Sequence, residues 1–430
     1  MKIAVIGLWH LGCVTAACLA KAGHDVVGYD NNAEIIQQLK IGKAPLFEPG
    51  LDGLILTMQQ QRKLKFNMDA NHITDADIVW VTFDTPVDQD DRADTLWVEA
   101  EIKKLFPYLK NDGVMIISSQ LPVGTIDKLH KEFTHCLPKN KITLVCIPEN
   151  LRLGKSIAVF SHPDRIIVGL DDLEKKSEIQ TLLKPISENI VWMSVVSAEM
   201  TKHAINSFLA VSVTFINELA AICETVGANA KDVEAGLKTE ERIGPKAYLR
   251  PGGAIAGGTL MRDVNYLEEI GKNKHRETCL LSSVIKSNHY HKQWSCRKLL
   301  DVLKNINGKT IAMLGLTYKA DTDTLRRSSA IETCEWLAKE GVVIHAYDPG
   351  IACLPPQLAQ FISIKHTVAD ALKTADAVII STEHPQFQEL TANDFCQSSI
   401  KQIVLDPSGF VAKKLMNDSR IQYFSVGVPS

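Results

Sequence analysis

The chain lacks the cysteine patterns that hold structural metals or disulfide frameworks. Its ten cysteines are scattered through 430 residues, without a C-x-x-C pair or a cysteine/histidine cluster. Zinc sites need closely spaced thiolate or imidazole ligands, and disulfide scaffolds are short and dense in cysteine. We therefore expect no metal, and we expect free thiols in a reducing cytoplasm.

A strong charge of either sign is missing as well. The 47 Lys and Arg residues nearly balance the 50 Asp and Glu residues, which leaves a formal net charge of -3. Nucleic acids and anionic membranes attract proteins that carry an excess of basic residues. The balance therefore gives no reason to expect a nucleic-acid or membrane partner.

Apolar runs long enough to cross a bilayer are not expected either, because a spanning helix needs about 20 apolar residues. The N-terminal stretch MKIAVIGLWHLGCVTAACLA could pass for a secretory signal peptide. A β-rich run, a glycine turn and a matching second strand favour the alternative, a folded strand–turn–helix unit. A chain of 430 residues with 45% hydrophobic and 23% charged residues fits a soluble protein of two or three domains.

The chain opens with a βαβ pattern. A strand-like run at Lys2–Ile6 meets Gly7, a helical stretch follows at Cys13–Ala22, and a β-branched run at Asp25–Tyr29 ends at Asp30. This order opens a Rossmann domain, in which a dinucleotide binds at the first turn. The same order also starts doubly wound folds that bind no cofactor, so this unit alone leaves the cofactor open.

The glycine fingerprint of that first turn is incomplete. The pattern G-x-G-x-x-G reads GLWHLG at residues 7–12, with Trp9 in place of the middle glycine. That glycine normally lets the backbone approach the pyrophosphate. Trp9 therefore either turns its indole away or fills cofactor space. Asp30 has the right place to bind the adenosine ribose hydroxyls, which favours NAD over NADP.

Further apolar strands predict two parallel sheets. They are Ile78–Thr82, Val114–Ser118 and Ile142–Ile147 in the first half, and Thr310–Leu314, Val342–Ala346, Ala377–Thr382 and Gln402–Asp406 near the C-terminus. Nearly continuous β-branched character is typical of strands that helices cover on both faces. We therefore predict an α/β fold with two Rossmann-like doubly wound domains.

One long helical pattern, Ala198 to Val226, separates the two sets of strands. Its apolar residues recur at three- and four-residue spacing and predict one wide face: Ala204, Phe208, Val211, Phe215, Leu219 and Ile222. We expect this helix to link two domains and to form a dimer seam. Lys202 and Asn206 are four residues apart and project from one face. Such a pair is either an exposed helix pair or a set that polarises a hydroxyl.

A glycine-rich segment at residues 242–267 reads RIGPKAYLRPGGAIAGGTLMRDVNYL. Its five glycines let the backbone come close to a ligand, because no Cβ is in the way. Arg242 lies at one end, and Arg262 and Asp263 lie near the other. A permissive loop flanked by fixed charges suits an anionic ligand, and a phosphate sugar is one candidate.

These motifs resemble the UDP-glucose/GDP-mannose dehydrogenase family over essentially the whole chain. The resemblance rests on the glycine-rich segment, on TP at 85–86, PENLRLG at 148–154, AEMTKHAIN at 198–206 and GLTYKADTDTLRRS at 315–328. It implies an NAD-binding domain at residues 1–196, a central helical dimerisation region with the active-site loop at 197–300, and a UDP-binding domain at 301–430. NAD as cofactor, a UDP-sugar as substrate and a homodimer through the central helix are also implied.

The resemblance assigns roles to individual residues. The catalytic residues would be Glu149, Lys202, Asn206, Asp263 and, where the family has cysteine, Thr259. The cofactor residues would be Gly7, Trp9, Leu11, Gly12, Asp30, Thr85, Pro86, Gln120 and Arg326. The substrate residues would be Glu149, Asn150, Leu151, Arg152, Lys202, Asn206, Arg242, Gly257 and Lys319. Taken alone, Glu149 could equally be a solvated or helix-capping carboxylate.

Departures from the family pattern fall at ligand positions: Trp9, Gln120, Leu153, Thr259, Arg262 and Ser408. The family oxidises C6 of the sugar twice, and the second step uses a cysteine thiolate that adds to the aldehyde. A threonine hydroxyl is a weak nucleophile unless a neighbouring base activates it. Cys279 and Cys296 lie downstream in helical patterns, where we expect buried structural thiols rather than replacement nucleophiles.

Three readings of the reaction remain open at this point. The protein oxidises the alcohol once and stops at the aldehyde, it completes both oxidations through the aldehyde hydrate with Glu149 as base, or it only binds a nucleotide sugar. Charged residues that converge on a cleft lower the stability of the fold. The charged residues that match the family pattern therefore indicate that the protein binds a charged ligand in all three readings.

Overall fold

A computed structural model of the protein describes residues 1–86, 93–256, 259–320, 322–396 and 401–429. The chain divides into two compact units, Met1–Ala204 and Ile205–Ser430. This division has one boundary, close to the predicted one after residue 196. The central region predicted at 197–300 falls mainly within the second unit.

The first unit is built on one sheet. Its strands are β1 (Lys2–Ile6), β2 (Asp25–Tyr29), β3 (Leu64–Asn67), β4 (Ile78–Val81), β5 (Gly113–Ile117), β6 (Ile142–Cys146), β7 (Ile166–Gly169) and β8 (Ile190–Met193). They lie in the order β3-β2-β1-β4-β5-β6-β7-β8. Pairing is parallel except between β6 and β7 in the described residues. Successive strands are added on one side of β1 up to β3 and on the other side from β4 onward, and ligands of doubly wound folds bind at this switch between β1 and β4.

Helices connect these strands. They are α1 (His10–Lys21), α2 (Ala33–Lys40), α3 (Leu51–Gln60), α4 (Thr95–Leu105), α5 (Thr125–Cys136), α6 (Ser156–Ser161) and α7 (Lys176–Leu183). Short 3-10 helices occupy Ala70–Ile73, Phe106–Tyr108 and Leu173–Lys175. Strand β4 is buried at every position, which agrees with its continuous apolar sequence IVWV.

A second parallel sheet forms the core of the other unit. Its strands are β9 (Thr310–Leu314), β10 (Val343–Tyr347), β11 (Ile362–Ile364), β12 (Ala377–Ile380), β13 (Gln402–Leu405) and β14 (Ile421–Phe424). They lie in the order β11-β10-β9-β12-β13-β14, which repeats the order of the first six strands of the chain. The two sheets confirm the predicted fold class.

The second unit also contains most of the helical sequence. Helix α8 (Val195–Val226) begins in the first unit, and the others are α9 (Ala230–Thr239), α10 (Thr259–Asn273), α11 (Cys279–Lys292), α12 (Trp294–Leu303), α13 (Ser329–Lys339), α14 (Pro356–Ala359), α15 (Val368–Leu372), α16 (Ala392–Phe395) and α17 (Ala412–Leu415). A 3-10 helix occupies Pro385–Glu389. Helices α10 and α11 are separated by a turn, in which His275 has a φ of 53°.

Helix α8 buries a different face from the one its apolar pattern predicts. Phe208, Phe215 and Ile222 are 70%, 51% and 57% exposed, whereas Asn206 and Asn217 are buried. The amide of Asn217 bonds the backbone of the glycine-rich segment, from Gly252 N at 3.0 Å and to Gly253 O at 3.2 Å. The buried face therefore holds the loop through polar contacts, and the apolar face is left on the surface of the single chain.

Length and composition alone would let α8 cross a membrane, contrary to the expectation that no stretch would qualify. This is weak support for a membrane span, because core helices of soluble proteins pass the same test. Polar residues on its buried face, among them Asn206, Ser212 and Asn217, also fit the interior of a protein better than lipid.

Gly12 lets α1 approach β1 at the first turn. A Cβ at this position would lie 1.9 Å from Gly7 O and 2.8 Å from Thr82 Oγ1. Neither a strand-end carbonyl nor a buried threonine can move aside easily, because Thr82 Oγ1 itself donates to Gly7 O at 2.9 Å. The last glycine of the fingerprint is therefore a packing requirement here.

We predict that Gly12→Ala destabilises the first unit by roughly 1–3 kcal/mol or more, because overpacking shifts helix against strand. Gly53→Ala is the matched control. It adds the same methyl group to α3, where a Cβ would meet nothing within 4 Å. The control should stabilise by about 0.5–1 kcal/mol, since alanine replaces glycine inside a helix. Urea unfolding followed by circular dichroism measures both, and equal midpoints for the two variants would contradict the packing argument.

Candidate active site

The first turn of the first unit brings Asp30 to the glycine fingerprint. Leu8 N donates to Asp30 Oδ2 at 2.7 Å, and Gly7 has a φ of +89°. Trp9 is the N-cap of α1, and no described side chain caps that helix end. Trp9 is 44% exposed, so its ring is not packed in the core. Leu11, in contrast, is buried in the first turn of α1.

A dinucleotide fits the chemistry of this turn. The amides at the start of α1 can bind a pyrophosphate, because a helix N-terminus carries partial positive charge and unbonded N–H groups. Asp30 provides the carboxylate that a ribose diol would need. These are the two features that NAD would require of this end of the sheet.

The neighbouring strand ends are fastened to one another. Thr82 Oγ1 donates to Ile6 O at 2.8 Å, which joins the ends of β4 and β1. Thr85 Oγ1 donates to Gln120 O at 2.8 Å, which joins the loops after β4 and β5. The predicted cofactor residues Thr85 and Gln120 are thus brought together, with Pro86 next in the chain.

Glu149 and Lys202 form an ion pair in the first unit. Lys202 Nζ donates to Glu149 O at 2.6 Å and lies 3.2 Å from Glu149 Oε1. Glu149 Oε2 accepts from Leu151 N at 2.8 Å, which orients the carboxylate. The side chains of Lys202 and Glu149 are 11% and 27% exposed, so the pair is partly shielded from solvent. Asn150 and Arg152, two of the predicted substrate residues, are exposed in the same loop.

A small cavity of about 20 Å³ adjoins this pair. Its walls include Glu149, Lys202, Ser119, Gln120 and His203. The hydroxyl oxygen of Ser119 is buried without a hydrogen-bond partner among the described residues. A space of this size with several polar groups suits one water molecule.

Glu199 also lines this cavity and was not predicted as a functional residue. Its carboxylate accepts from Gly124 N at 2.7 Å and from Ile126 N at 3.0 Å, at the start of α5. Burial raises the pKa of Glu199, while the two amide hydrogen bonds act in the opposite direction. The sequence gives no local signal for this contact, because Glu199 and its partners are more than 70 residues apart.

The second unit brings Asn206 and Asp263 together. Asn206 Nδ2 donates to Asp263 Oδ2 in a short hydrogen bond, and both residues are buried. Thr259 is the first residue of α10 and is exposed. Gly257, a predicted substrate residue, lies outside the described residues.

A cavity of about 580 Å³ opens between the glycine-rich segment and the carboxyl edge of the second sheet. Its lining includes Lys319, Tyr248, Thr317, Glu383 and Ser408. Cavities of this volume hold ligands the size of a nucleotide sugar. Lys319, a predicted substrate residue, thus lines this cavity.

Arg242 and Arg326, which were predicted to bind substrate and cofactor respectively, are not among the described residues that line that cavity. The side chain of Arg242 is 88% exposed and pairs with Glu240 at 2.7 Å. Arg326 is also exposed. Arg250, which was not predicted, reaches Glu383 and Ser408 O at 3.2 Å each. It therefore brings a guanidinium group to Ser408, one of the positions at which this chain departs from the family pattern.

The carboxylate at the first turn of the second sheet is already occupied by its own chain. Asp348 accepts from Leu316 N, Thr317 N and Gly350 N at 2.7–2.9 Å, and His384 Nε2 lies 3.1 Å away. Burial opposes its ionisation, but His384 and the backbone amides outweigh burial and hold the pKa of Asp348 far below its usual value. Asp348 follows β10 as Asp30 follows β2, yet it is only 3% exposed.

The two downstream cysteines differ from each other. Cys296 is buried, and burial raises the pKa of its thiol to about 12, so it fits the predicted structural role. Cys279 is exposed at the start of α11, which corrects the expectation that it is buried.

Among the described residues, no group of three or more His, Cys, Asp or Glu side chains could hold a metal ion.

Comparison with known families gives matches along the chain. The UDP-glucose/GDP-mannose dehydrogenase family's NAD binding domain matches residues 1–187, its central domain residues 196–290 and its UDP binding domain residues 312–413. The UDP-glucose 6-dehydrogenase YwqF of Bacillus subtilis (strain 168) is 32% identical over 430 residues, covering 99% of this chain and 98% of that protein. The UDP-glucose 6-dehydrogenase of Rhizobium meliloti (strain 1021) is 32% identical over 437 residues, with 100% of both chains covered.

Solved structures share the fold. A UDP-glucose dehydrogenase from the hyperthermophilic archaeon Pyrobaculum islandicum superposes with a TM-score of 0.87 at 24% identity, covering 100% of this chain and 98% of that one. The UDP-N-acetyl-mannosamine dehydrogenase Cap5O from Staphylococcus aureus gives a TM-score of 0.79 at 25% identity, covering 99% and 98%.

A pH effect follows from His291, which lies against the 580 Å³ cavity. Its Nε2 contacts Gly252 O at 2.7 Å, and burial lowers its pKa below the usual value of 6.5. The unfolded chain therefore binds a proton near pH 6.5 that the folded chain rejects, and stability falls as the pH drops below that value. We predict a smaller fall for His291→Gln, which keeps an N–H donor.

Thermal unfolding at pH 7.5, 6.5 and 5.5 measures this difference. Burial also lowers the pKa values of His24 and His345. Because these two histidines remain in the variant, its melting temperature should still fall in part as the pH drops. An identical fall in melting temperature for the wild type and the variant would contradict the role of His291.

Proposed function

This chain belongs to the UDP-glucose/GDP-mannose dehydrogenase family, and we propose that it oxidises the C6 hydroxyl of a UDP-sugar once and stops at the aldehyde. Its family makes it an NAD-dependent oxidoreductase that acts on the CH–OH group of a nucleotide sugar. The finer proposal rests on one observation: an intact Lys202–Glu149 pair is combined with threonine at position 259. We also propose that the protein works in the cytoplasm.

Cofactor binding would use the first turn of the first unit. The amides at the start of α1 would bind the pyrophosphate, and Asp30 would accept hydrogen bonds from the adenosine ribose. NAD, when bound, supplies the hydride acceptor of the reaction. The ring of Trp9 is 44% exposed and is not packed in the core of the unit.

Oxidation of the alcohol removes a hydride from C6 and a proton from its hydroxyl. Lys202 would stabilise the oxygen as it loses its proton, because its ammonium group is held in place by Glu149. A water molecule in the adjoining 20 Å³ cavity would accept that proton. The bonded pair Asn206 and Asp263 would orient water or the sugar hydroxyl.

The second oxidation requires a tetrahedral adduct that can lose hydride. A thiolate would add to the aldehyde carbon and later leave as the thioester is hydrolysed. Thr259 has an unactivated hydroxyl at the exposed start of α10 and would not form that adduct. This difference supports release of the aldehyde.

Two alternatives remain as proposals of lower rank. In the hydrate route, water adds to the aldehyde, Glu149 takes a proton from the diol, and hydride leaves C6 to give the acid. In the binding reading, the protein holds a nucleotide sugar without oxidising it. The replacement of six residues at ligand positions favours the binding reading, and the retained Lys202–Glu149 pair favours catalysis.

The nucleotide would lie in the cavity of the second unit. The cavity volume of about 580 Å³, the lining residue Lys319 and the match to the UDP binding domain support this location. Arg242 would contact the sugar nucleotide of the partner subunit. Its side chain is 88% exposed and is not among the described residues that line the cavity of its own chain, which supports that role.

The homodimer would form through α8. Phe208, Phe215 and Ile222 are exposed and lie seven residues apart on one stripe of the helix. Apolar residues at this interval pack well against a second helix with the same repeat. A long helix with an exposed apolar stripe would otherwise be costly in water.

The number of NADH molecules formed per sugar tests the reaction. With UDP-glucose and excess NAD, we expect one NADH per sugar from the wild type, because the aldehyde is released. Thr259→Cys should form two, since it restores a thiol, and Thr259→Ser is the matched control that should still form one. Absorbance at the NADH band and mass spectrometry of the sugar product measure the outcome. Two NADH per sugar from the wild type would instead support the hydrate route.

Lys202→Met should lower kcat by roughly 100-fold or more, as expected for loss of a group that assists proton transfer. Lys238→Met is the control, because Lys238 forms a comparable pair with Glu234 on α9. If no UDP-, GDP- or N-acetylated sugar gives NADH and calorimetry detects no NAD binding, only the binding reading survives.

The double variant Phe208→Glu/Phe215→Glu should be monomeric, because opposed carboxylates would meet in the proposed seam. Light scattering after gel filtration measures the mass. Leu173→Glu is the control, since Leu173 is 72% exposed in the first unit and lies off this helix. A wild type that is monomeric at all concentrations tested would rule the seam out.

A further inference from the structure

Glu48 is a buried carboxylate between α2 and α3 that the proposed reaction leaves unexplained. Its side chain is 1% exposed. Glu48 Oε2 contacts His10 Nε2 at 2.9 Å and accepts from Gly154 N at 2.9 Å, while Oε1 accepts from Ser156 N at 2.9 Å. One carboxylate thus holds two segments that are about 145 residues apart in the chain.

The first of these segments is the proposed cofactor turn. His10 is the first residue of α1, directly after Trp9. Its imidazole contact with Glu48 fixes the start of the helix whose amides would bind the pyrophosphate. Movement of His10 would therefore change the geometry of those amides.

The second segment is the loop that begins with Glu149. After Glu149 the chain runs through Arg152 to the start of α6, where Ser156 Oγ donates to Arg152 O at 2.9 Å. Glu48 binds the amides at the end of this loop, and Lys202 binds Glu149 at its beginning. The loop is therefore fixed at both ends, once by a lysine and once by a glutamate.

The cluster is not a hydrolytic triad, although it contains a serine, a histidine and a carboxylate. Ser156 Oγ lies 3.3 Å from His10 Nε2, which is the same nitrogen that Glu48 contacts. A catalytic triad needs the hydroxyl and the carboxylate on opposite ring nitrogens. Nucleophilic catalysis by Ser156 is therefore excluded by the geometry, and a structural or positioning role remains.

We infer that Glu48 is a positioning residue that ties the cofactor turn to the loop carrying Glu149. This inference rests on the proposed function, because it requires NAD at the turn and a reacting sugar beside Glu149. Binding at the turn and the orientation of Glu149 then depend on one another. Loss of the Glu48 charge affects NAD affinity and the chemical step together, whereas loss of the imidazole mainly affects NAD affinity.

The charge state of Glu48 supports this link. Burial opposes ionisation, but the hydrogen bonds from His10, Gly154 and Ser156 outweigh burial and hold the pKa of Glu48 below its usual value. A neutral amide in its place would keep the volume and lose charge-assisted hydrogen bonds, which are about twice as strong as neutral ones.

The experiment compares Glu48→Gln, His10→Phe and the control Asp52→Asn in the full-length protein. Asp52 belongs to the same region and accepts from Ala44 N at 3.0 Å. For each variant, calorimetry gives the Kd for NAD, steady-state kinetics with UDP-glucose give kcat and both KM values, and circular dichroism gives Tm. Active-site titration with NAD corrects kcat for the folded fraction.

We expect Glu48→Gln to raise the Kd for NAD by about 10-fold and to lower kcat by about 10-fold, while KM for UDP-glucose changes less than about twofold, because small misplacements of reacting groups cost this much or more. His10→Phe should raise the Kd for NAD by a similar factor with a smaller fall in kcat. Asp52→Asn should match the wild type in all five quantities.

The inference is overturned if Glu48→Gln lowers Tm but leaves the Kd for NAD and the corrected kcat unchanged, as a purely structural contact would. If Glu48→Gln does not fold, His10→Phe decides: a Kd for NAD within twofold of the wild type overturns the inference. A wild type that binds no NAD would overturn the proposed function as well, whereas a failure confined to the variants leaves that function standing.

Discussion

Carboxylates that accept hydrogen bonds from backbone amides hold the ligand-facing turns of both units. Asp30 binds the amide of the first turn, Glu48 and Glu199 bind the starts of α6 and α5, and Asp348 binds the turn after β9. Turns expose N–H groups that helices and sheets leave unpaired, and a buried N–H without a partner is costly. An ionised carboxylate satisfies two or three of them at once. The positions of the proposed catalytic groups depend on these contacts, since the loops themselves have little secondary structure.

Much of the fold could be predicted because its central strands have local signals. Strands β1, β2 and β9 were predicted with the bounds that the structure has, since continuous β-branched residues end at glycine or aspartate. The edge strands β3, β8, β11 and β14 were missed. They are three or four residues long and are defined by pairing with a neighbour rather than by their own composition.

The site was predictable only where residues lie close in sequence or in a familiar motif. Motif positions identified Glu149 and Lys202, and the structure brings them into contact. Glu48, Arg250 and His384 carry no such signal, because their contacts span between about 35 and 160 residues of chain. Helix α8 shows a second limit. Its apolar period is visible in the sequence, but the polar amides on the other face decide which side is buried in the single chain.

The burial of Asp348 has a consequence for ligand binding at the second sheet. Both sheets have the strand order of a dinucleotide site, so strand order alone does not distinguish them as sites for an adenine dinucleotide. Asp30 and Asp348 both accept amides of their own chain, but Asp348 is only 3% exposed, so an incoming diol would have to displace those amides to reach it. Such intramolecular partners act at a very high effective concentration. These internal hydrogen bonds therefore compete with any ligand for the Asp348 carboxylate. Under the proposed function, a nucleotide at the second sheet would therefore gain its affinity from other walls of the cavity rather than from Asp348.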